Sequence, residues 1–239
     1  MQRNSVQMRF LIAVLGITLA LGASAAAATT YSDIDQMSGW QHCTVCAGKG
    51  GSGPVAAFSM QQNVSSPSMD GRSVRFFLGG STPYSNALWW KQLGSNSGVG
   101  NFIYDLYFYM KNPAAAQALE FDVNQSLNGK KYIFGTECSF KRHMWDVYDP
   151  LNRRWVQTSI ACAMPKAYTW HHLVLEFRRS SSKVNFVSVT INGKKAYFNR
   201  AYYPRSSSAR EINVAFQMDG DKAQTDYTVW LDKVKLTYW

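Results

Sequence analysis

ALEFDVNQSLNGKKYIFGTE (residues 118–137) holds two runs of alternating apolar and polar residues joined by Asn128-Gly129. Alternation with a period of two marks a strand with one buried face. Asn-Gly between two such runs is the strongest short hairpin signal, a type I′ turn whose two residues both take positive φ. A two-residue turn sets the register: Leu127 faces Lys130, Val123 faces Phe134, Asp122 faces Gly135, and Glu120 faces Glu137. Successive side chains point to opposite faces, so Leu119, Phe121 and Val123 share one side with Phe134. Glu120, Asp122 and Asn124 share the other. The stretch predicts an antiparallel pair with a greasy side and an acidic side, in a chain of formal net charge +10.

The same alternation recurs outward from this hairpin. SVRFFLG, NALWWKQ, NFIYDLYFYM, MWDVYD, RWVQTS, HHLVLEFRR, NFVSVTI, KKAYFN, EINVAFQM and YTVWLDKVKLTYW read as further strands. DPLNR, RRSSSK, INGK, YYPRSSS and MDGDKAQ are the turns between them. PAAAQALEF is the only alanine-rich run after the first thirty residues, and Pro113 stands at its start. About a dozen short strands at this spacing predict an all-β antiparallel sandwich or barrel. CAGKGGSGPVAA is a glycine-rich loop that lacks the G-K-[ST] and the helix of a phosphate loop.

Residues 1–28 have the parts of a secretory signal: Arg3 and Arg9, an apolar core from Phe10 to Leu21, and small residues at Ala23-Ser24-Ala25. The apolar run is short for a membrane span. The chain is therefore expected to be exported, secreted or periplasmic, with residues 29–239 as one domain and no membrane span once the signal is removed. Removal takes two positive charges and leaves the protein basic. The basic residues are scattered through turns and strand edges, and no nucleic-acid motif is present, so nucleic acid is not an expected partner.

Four cysteines in an exported chain predict two disulfides with three connectivities. Cys43 with Cys46 and Cys138 with Cys162 is the favoured set. A redox role for Cys43-Thr44-Val45-Cys46 would need a βαβ setting, and zinc would need two more ligands, for which His42 is adjacent but no second close pair exists.

Glu120 and Glu137, opposed on one face, would have Cβ atoms about 4.5–5.5 Å apart. A cation, a shared proton, a Lys or Arg, or solvent must offset their repulsion. Two carboxyls at about 5–5.5 Å suit a retaining glycosidase. A hard cation such as calcium would also accept the cluster, with Asn124 as a neutral ligand. No cofactor is required by any motif; calcium is the one candidate.

TWHHLVLEF (169–177), VTINGKKAYF (189–198) and WLDKVKLTYW (230–239) resemble strands of the laminin G-like domains, within the concanavalin A-like jelly rolls. The resemblance covers about the C-terminal third of the chain. It implies two stacked antiparallel sheets and carbohydrate as the commonest ligand class. ALEFDVN is similar to the Glu-x-Asp strand of legume-type lectins and laminarinase-type glucanases. In the glucanases the residue matching Glu120 is the nucleophile, and the one matching Asp122 tunes it. The acid position falls on Asn124 or Gln125, and an amide has no proton to titrate. The glycosidase set is therefore incomplete unless Glu137 completes it. The lectin metal pattern is also incomplete after this strand.

Trp89, Trp90, Tyr107, Tyr109, Trp145 and Trp155 are the candidate sugar platforms, since sugar C–H surfaces stack on aromatic faces. Trp89 and Trp90 are adjacent, so they point apart. Tyr104, Leu106, Phe108 and Met110 read as core, which leaves Asp105, Tyr107 and Tyr109 on the other face. His143 lies near Lys141 and Arg142, where it would face an anionic sugar or simply sit at a strand end. His171 and His172 point to opposite sides and read as framework. Asp219-Gly220-Asp221 with Asp226 reads as a polar turn or a calcium loop. Tyr197, Tyr202 and Tyr203 among Lys195, Arg200 and Arg205 would suit a lyase acting on acidic glycans. The leading expectation is an exported carbohydrate-binding sandwich with a polysaccharide or glycan partner. A glycoside hydrolase using Glu120, Asp122 and Glu137, a polysaccharide lyase and a structural cell-envelope protein are the alternatives.

Overall fold

The computed structural model describes residues 27–43 and 56–239. The strands are β1 (Thr29–Tyr31), β2 (Trp40–Cys43), β3 (Ala57–Val64), β4 (Ser73–Gly79), β5 (Asn86–Gln92), β6 (Asn101–Met110), β7 (Ala116–Leu127) and β8 (Lys130–Ser139). They continue with β9 (Met144–Asp149), β10 (Arg154–Ala161), β11 (Thr169–Arg179), β12 (Val184–Ile191), β13 (Lys194–Tyr202), β14 (Arg205–Ser206), β15 (Glu211–Gly220) and β16 (Tyr227–Tyr238). Two 3₁₀ turns, Ile34–Gln36 and Pro113–Ala115, are the only helical elements among the described residues. The alanine-rich run thus begins as one 3₁₀ turn at Pro113 and then joins β7.

The strands form two antiparallel eight-stranded sheets. The first runs β13-β12-β11-β6-β16-β4-β3, with β1 on β16; the second runs β10-β9-β8-β7-β15-β5-β2, with β14 on β8. Asn128 (φ 49°) and Gly129 (φ 75°) make the expected turn, and the hairpin has the expected register, Leu127 to Lys130 through Glu120 to Glu137. Asn192 and Gly193 repeat the device between β12 and β13.

The core lies between the sheets. Phe76 on β4 reaches across to Trp89 and Phe216 of the other sheet, each at 4.9 Å between ring centroids. Phe216 continues to Phe121 at 5.4 Å. Such tilted pairs are worth about 0.5–1.5 kcal/mol each beyond their area. Along β6 burial alternates without a break, which puts Tyr104, Leu106, Phe108 and Met110 inside as expected. β3 is an edge strand with no fully buried residue, only Phe58 and Met60 packing partly on the core, so its residues AFSMQQNV carry little apolar signal. That is why β3, together with the short β1, β2 and β14, escapes sequence reading.

Cys138 and Cys162 form a disulfide with Cα atoms 5.7 Å apart, tying β8 to the segment after β10. The expected Cys43–Cys46 bridge lies outside the described residues, because Cys46 does. All but the last two residues of the expected secretory signal also lie outside them. No helix among the described residues is long and apolar enough to cross a membrane.

Candidate functional site

The inward residues of β7 (Leu119, Phe121, Val123) are fully buried against the core, so Glu120, Asp122 and Asn124 face away from it on the outer side of the second sheet. Register then places their neighbours. Asp122 lies between Gly135 on β8 and Ala215 on β15. Ala215 neighbours Trp90 on β5, and Trp90 neighbours Gln41 on β2. In the other direction Tyr148 on β9 lies beside Gly135, and Tyr148 pairs with Trp155 on β10 at 5.2 Å between rings. One row across the sheet thus reads Trp90, Ala215, Asp122, Gly135, Tyr148, Trp155.

The small residues in that row make a trough. At Gly135 an added Cβ would come within 3.0 Å of the Tyr148 Cβ and 3.4 Å of both Asp122 Oδ1 and Trp155 Cη2. The trough has a volume of about 410 Å³. Four strand spacings of about 4.8 Å separate Trp90 from Tyr148, so the aromatic posts stand roughly 19 Å apart. Asn124 and Asn213 flank the floor on one side, bonded Nδ2 to Oδ1 at 3.0 Å. Glu120 and Gln217 flank it on the other, with Gln217 Nε2 donating to Glu120 and, at 3.0 Å, to Asp219 Oδ1.

Behind Glu120 the carboxyl groups gather. Glu137 and Asp146 continue its row, and Asp219 joins from β15. Burial raises the pKa of Glu120 well above the usual carboxylate range, and the nearby Asp219, Asp122 and Glu137 raise it further. Burial likewise pushes Asp219 up to about 7, against the lowering effect of its hydrogen bonds to Glu120 and Gln217. The proton of that pair therefore stays on Glu120. Asp122 rises to about 7 mainly through burial, although the Thr136 N–H donates to it at 3.2 Å. Glu137 rises to about 8 through burial and Asp219, held back by Arg142, whose guanidinium is 3.6 Å away. Arg142 also pairs with Asp146. Shared protons and one arginine thus offset the repulsion that the hairpin register creates. No group of three or more His, Cys, Asp or Glu among the described residues is arranged to hold a metal ion.

The candidate residues separate onto several surfaces. Glu120, Asp122, Asn124, Trp90 and Trp155 line the trough, whereas Glu137 sits behind it. Trp89 and Trp145 are 1% and 2% exposed and point into the core, which removes both as sugar platforms. Their side chains alternate with those of Trp90 and Asp146, so the inward position follows from strand geometry. Asp105, Tyr107 and Tyr109 lie on the outer face of the opposite sheet, away from the trough. There Asp105 accepts from Lys235 at 3.0 Å and bonds His172 Nε2 at 2.8 Å. His172 stacks on Tyr107 at 4.4 Å, while His171 points inward onto Phe108. His143 is exposed at positive φ in the turn before β9.

Asp219, Asp221 and Asp226 go to different partners. Asp219 faces the carboxyl row, Asp221 pairs with Lys141 at 2.9 Å, and Asp226 accepts from the Gly80 N–H at 3.1 Å. Tyr197 and Tyr203 are exposed beside Lys195 and Lys183, and only Arg205 of that basic stretch reaches the trough. Tyr148, Gly135, Ala215 and Gln217 are trough residues that sequence reading missed. Alternation in EINVAFQMDG does put Asn213, Ala215, Gln217 and Asp219 on one face, but nothing in the sequence pairs that strand with β7.

No protein-family model matches the sequence, and no curated protein does. Solved structures do match. The cellulose-induced protein Cip1 superposes with a TM-score of 0.53 over 86% of this chain and 96% of its own, at 9% identity. A carbohydrate esterase of the Shiga toxin-encoding bacteriophage phi24B gives 0.51 over 88% and 99%, at 15% identity. The fold is that of the concanavalin A-like jelly rolls. An endo-β-1,4-glucuronan lyase from Trichoderma reesei shares this jelly roll with a TM-score of 0.50 over 83% and 94%, at 10% identity. The two sheets of this jelly roll leave the trough open on the outer side of the second.

Proposed function

We propose that the protein is an exported glycan-binding jelly roll whose ligand lies in the trough of the second sheet. The trough itself carries the reading: aromatic posts at Trp90 and at Tyr148–Trp155, a floor cleared by Gly135 and Ala215, and hydroxyl-directed groups between them. Stacking surfaces at both ends with amides and carboxyls in the middle suit a run of sugar rings, which are weakly apolar on their faces and polar at their edges. The likeness to solved carbohydrate-active jelly rolls, and the disulfide expected of an exported chain, support it. Affinity electrophoresis of the mature chain, residues 29–239, against a polysaccharide panel tests it. At least one polysaccharide should retard the protein, and Trp90→Ala should abolish the retardation. No retardation by any member would refute glycan binding.

A hydrolase is the second reading. Glu120 lines the trough, and burial with the neighbouring acids favours its protonated form, the form a general acid needs. Release of new reducing ends that disappears in Glu120→Gln would establish it. Calcium added during the same assay should leave retention unchanged if the carboxyl row is held by protons and Arg142 alone.

A further inference from the structure

We infer that the Tyr148–Trp155 end of the trough is a subsite for a sugar carrying an anionic substituent, with Arg205 as its counter-ion; this rests on the glycan-binding reading above. Arg205 stands on β14, opposite Lys131 on β8, and lines the trough half-buried. Lys131 and Glu211, the charged lining residues in the same row, have partners. Lys131 pairs with Glu211 at 2.9 Å, and Glu211 is also held by Gln92 and Ser126. Arg205 has no carboxylate and no side-chain hydrogen bond among the described residues. A guanidinium offers five donors in a planar fork that matches carboxylate or sulfate. Half-buried, it has no protein acceptor for those donors among the described residues, and an anion on the bound ligand would supply one.

Its position fits a sugar substituent. Burial raises the pKa of the Tyr148 hydroxyl; Arg205 and Arg153 act against that rise and Glu120 and Asp122 add to it, so the ring that would carry the sugar stands between the two arginines and the floor acids. The carboxyl row lies on the far side of the floor, with Glu120 two residues from Asp122 and Lys131 paired to Ser126 four residues beyond Asp122. A strand rises about 3.4 Å per residue, so roughly 20 Å separates the Glu120 row from the Lys131–Arg205 row. An anionic group at Arg205 is therefore remote from Glu120; Asp122, in the row of the aromatic pair, is about 14 Å along the strand from the Arg205 row, and Glu211 within that row is already paired with Lys131. Uronate carboxylates and sulfate esters share this chemistry.

The test compares polygalacturonate, its methyl ester and a sulfated galactan with a neutral galactan, by affinity electrophoresis and calorimetry in 0.15 M salt. The methyl ester keeps the backbone and removes the charge. Wild type should prefer an anionic polymer over its uncharged counterpart by about tenfold or more, the scale of one charge-assisted hydrogen-bond pair. Arg205→Gln should reduce that preference to about twofold. Arg178→Gln, an exposed cation on the other sheet, removes the same charge and should keep the preference. Polygalacturonate against its ester identifies a carboxylate subsite, and the sulfated against the neutral galactan a sulfate subsite. Equal losses in Arg205→Gln and Arg178→Gln would mean diffuse attraction to a basic protein and overturn the inference. Equal binding of charged and uncharged polymers would overturn it and leave glycan binding standing. No retention of any polymer would overturn both.

Discussion

Replacing Asp219 with Asn should flatten the alkaline half of the protein's stability profile. Glu120, Asp122, Glu137 and Asp219 all have raised pKa values because burial and mutual repulsion disfavour their ionised forms. In the unfolded chain such groups ionise near pH 4. Their contribution is therefore fully present below about pH 4 and is lost as pH rises to about 7 for Asp122 and Asp219 and about 8 for Glu137. For Asp219, moving from 3.8 to about 7 at 1.36 kcal/mol per pH unit sets a ceiling of about 4 kcal/mol. Asp219 is partly exposed, and solvent screening brings this to about 2 kcal/mol. For a chain of this size that is about 4–8 °C in Tm. About half of the Asp219 interval lies between pH 5.5 and 9, so thermal unfolding followed by near-UV circular dichroism at constant salt should show the wild type losing at least about 1 kcal/mol, or about 2–4 °C, across that window, with Asp122 and Glu137 adding to the loss. Asp219→Asn should lose less than the wild type by about the Asp219 share, about 1 kcal/mol. The net charge of +10 falls over the same range and relieves self-repulsion, so the difference between the two proteins is the decisive quantity. Glu211 and Asp221 have lowered pKa values, and their contribution disappears only as pH falls through those values, below the measured window. A wild-type Tm that stays level or rises from pH 5.5 to 9 would refute this account of the carboxyl row, as would an Asp219→Asn slope equal to wild type.

Three further outcomes follow from packing and covalent structure. Phe216→Ala removes a fully buried ring that touches Phe76, Trp89 and Phe121, and should cost about 3–5 kcal/mol in urea unfolding; less than 1 kcal/mol would mean that the rings do not bridge the sheets. Cys162→Ser opens a loop of 24 residues and should cost about 2–4 kcal/mol, with no added effect of reductant on that bridge. Gly135→Leu fills the floor between Asp122 and Tyr148, so it should remove polysaccharide retardation while the far-UV spectrum of the folded sheet is kept; retained binding would place the ligand elsewhere.

The hairpin shows which parts of the fold are local enough to read. Asn128-Gly129 dictates a turn, the turn dictates a register, and the alternation of β7 sorts core from surface, all within twenty residues. β6 is equally legible because every second residue is large and apolar. β3 is not, because an edge strand buries too little to need an apolar face. Trp89 and Trp90 show the limit in between. Alternation says that one is inside and one outside, and only the packing of Phe76 and Phe216 decides that Trp89 is the buried one.

The site is less legible because its row crosses strands from distant parts of the sequence. Trp90, Ala215, Asp122, Gly135, Tyr148 and Trp155 come from six strands, and the steps from Trp90 to Ala215 and from Ala215 to Asp122 join strands far apart in the sequence. Residues with obvious chemistry were visible one at a time; the glycine and alanine that clear the floor carry no chemical signal at all. Asp219 illustrates the consequence. Next to Gly220 and Asp221 it reads as a turn residue, yet the pairing of β15 with β7 aims its side chain at the proton of Glu120. A carboxyl that looks like part of a polar loop in sequence thus becomes the fourth acid of a buried row. The same pairing sets Ala215 against Asp122, so a single long-range strand contact both completes the acid cluster and opens the trough beside it.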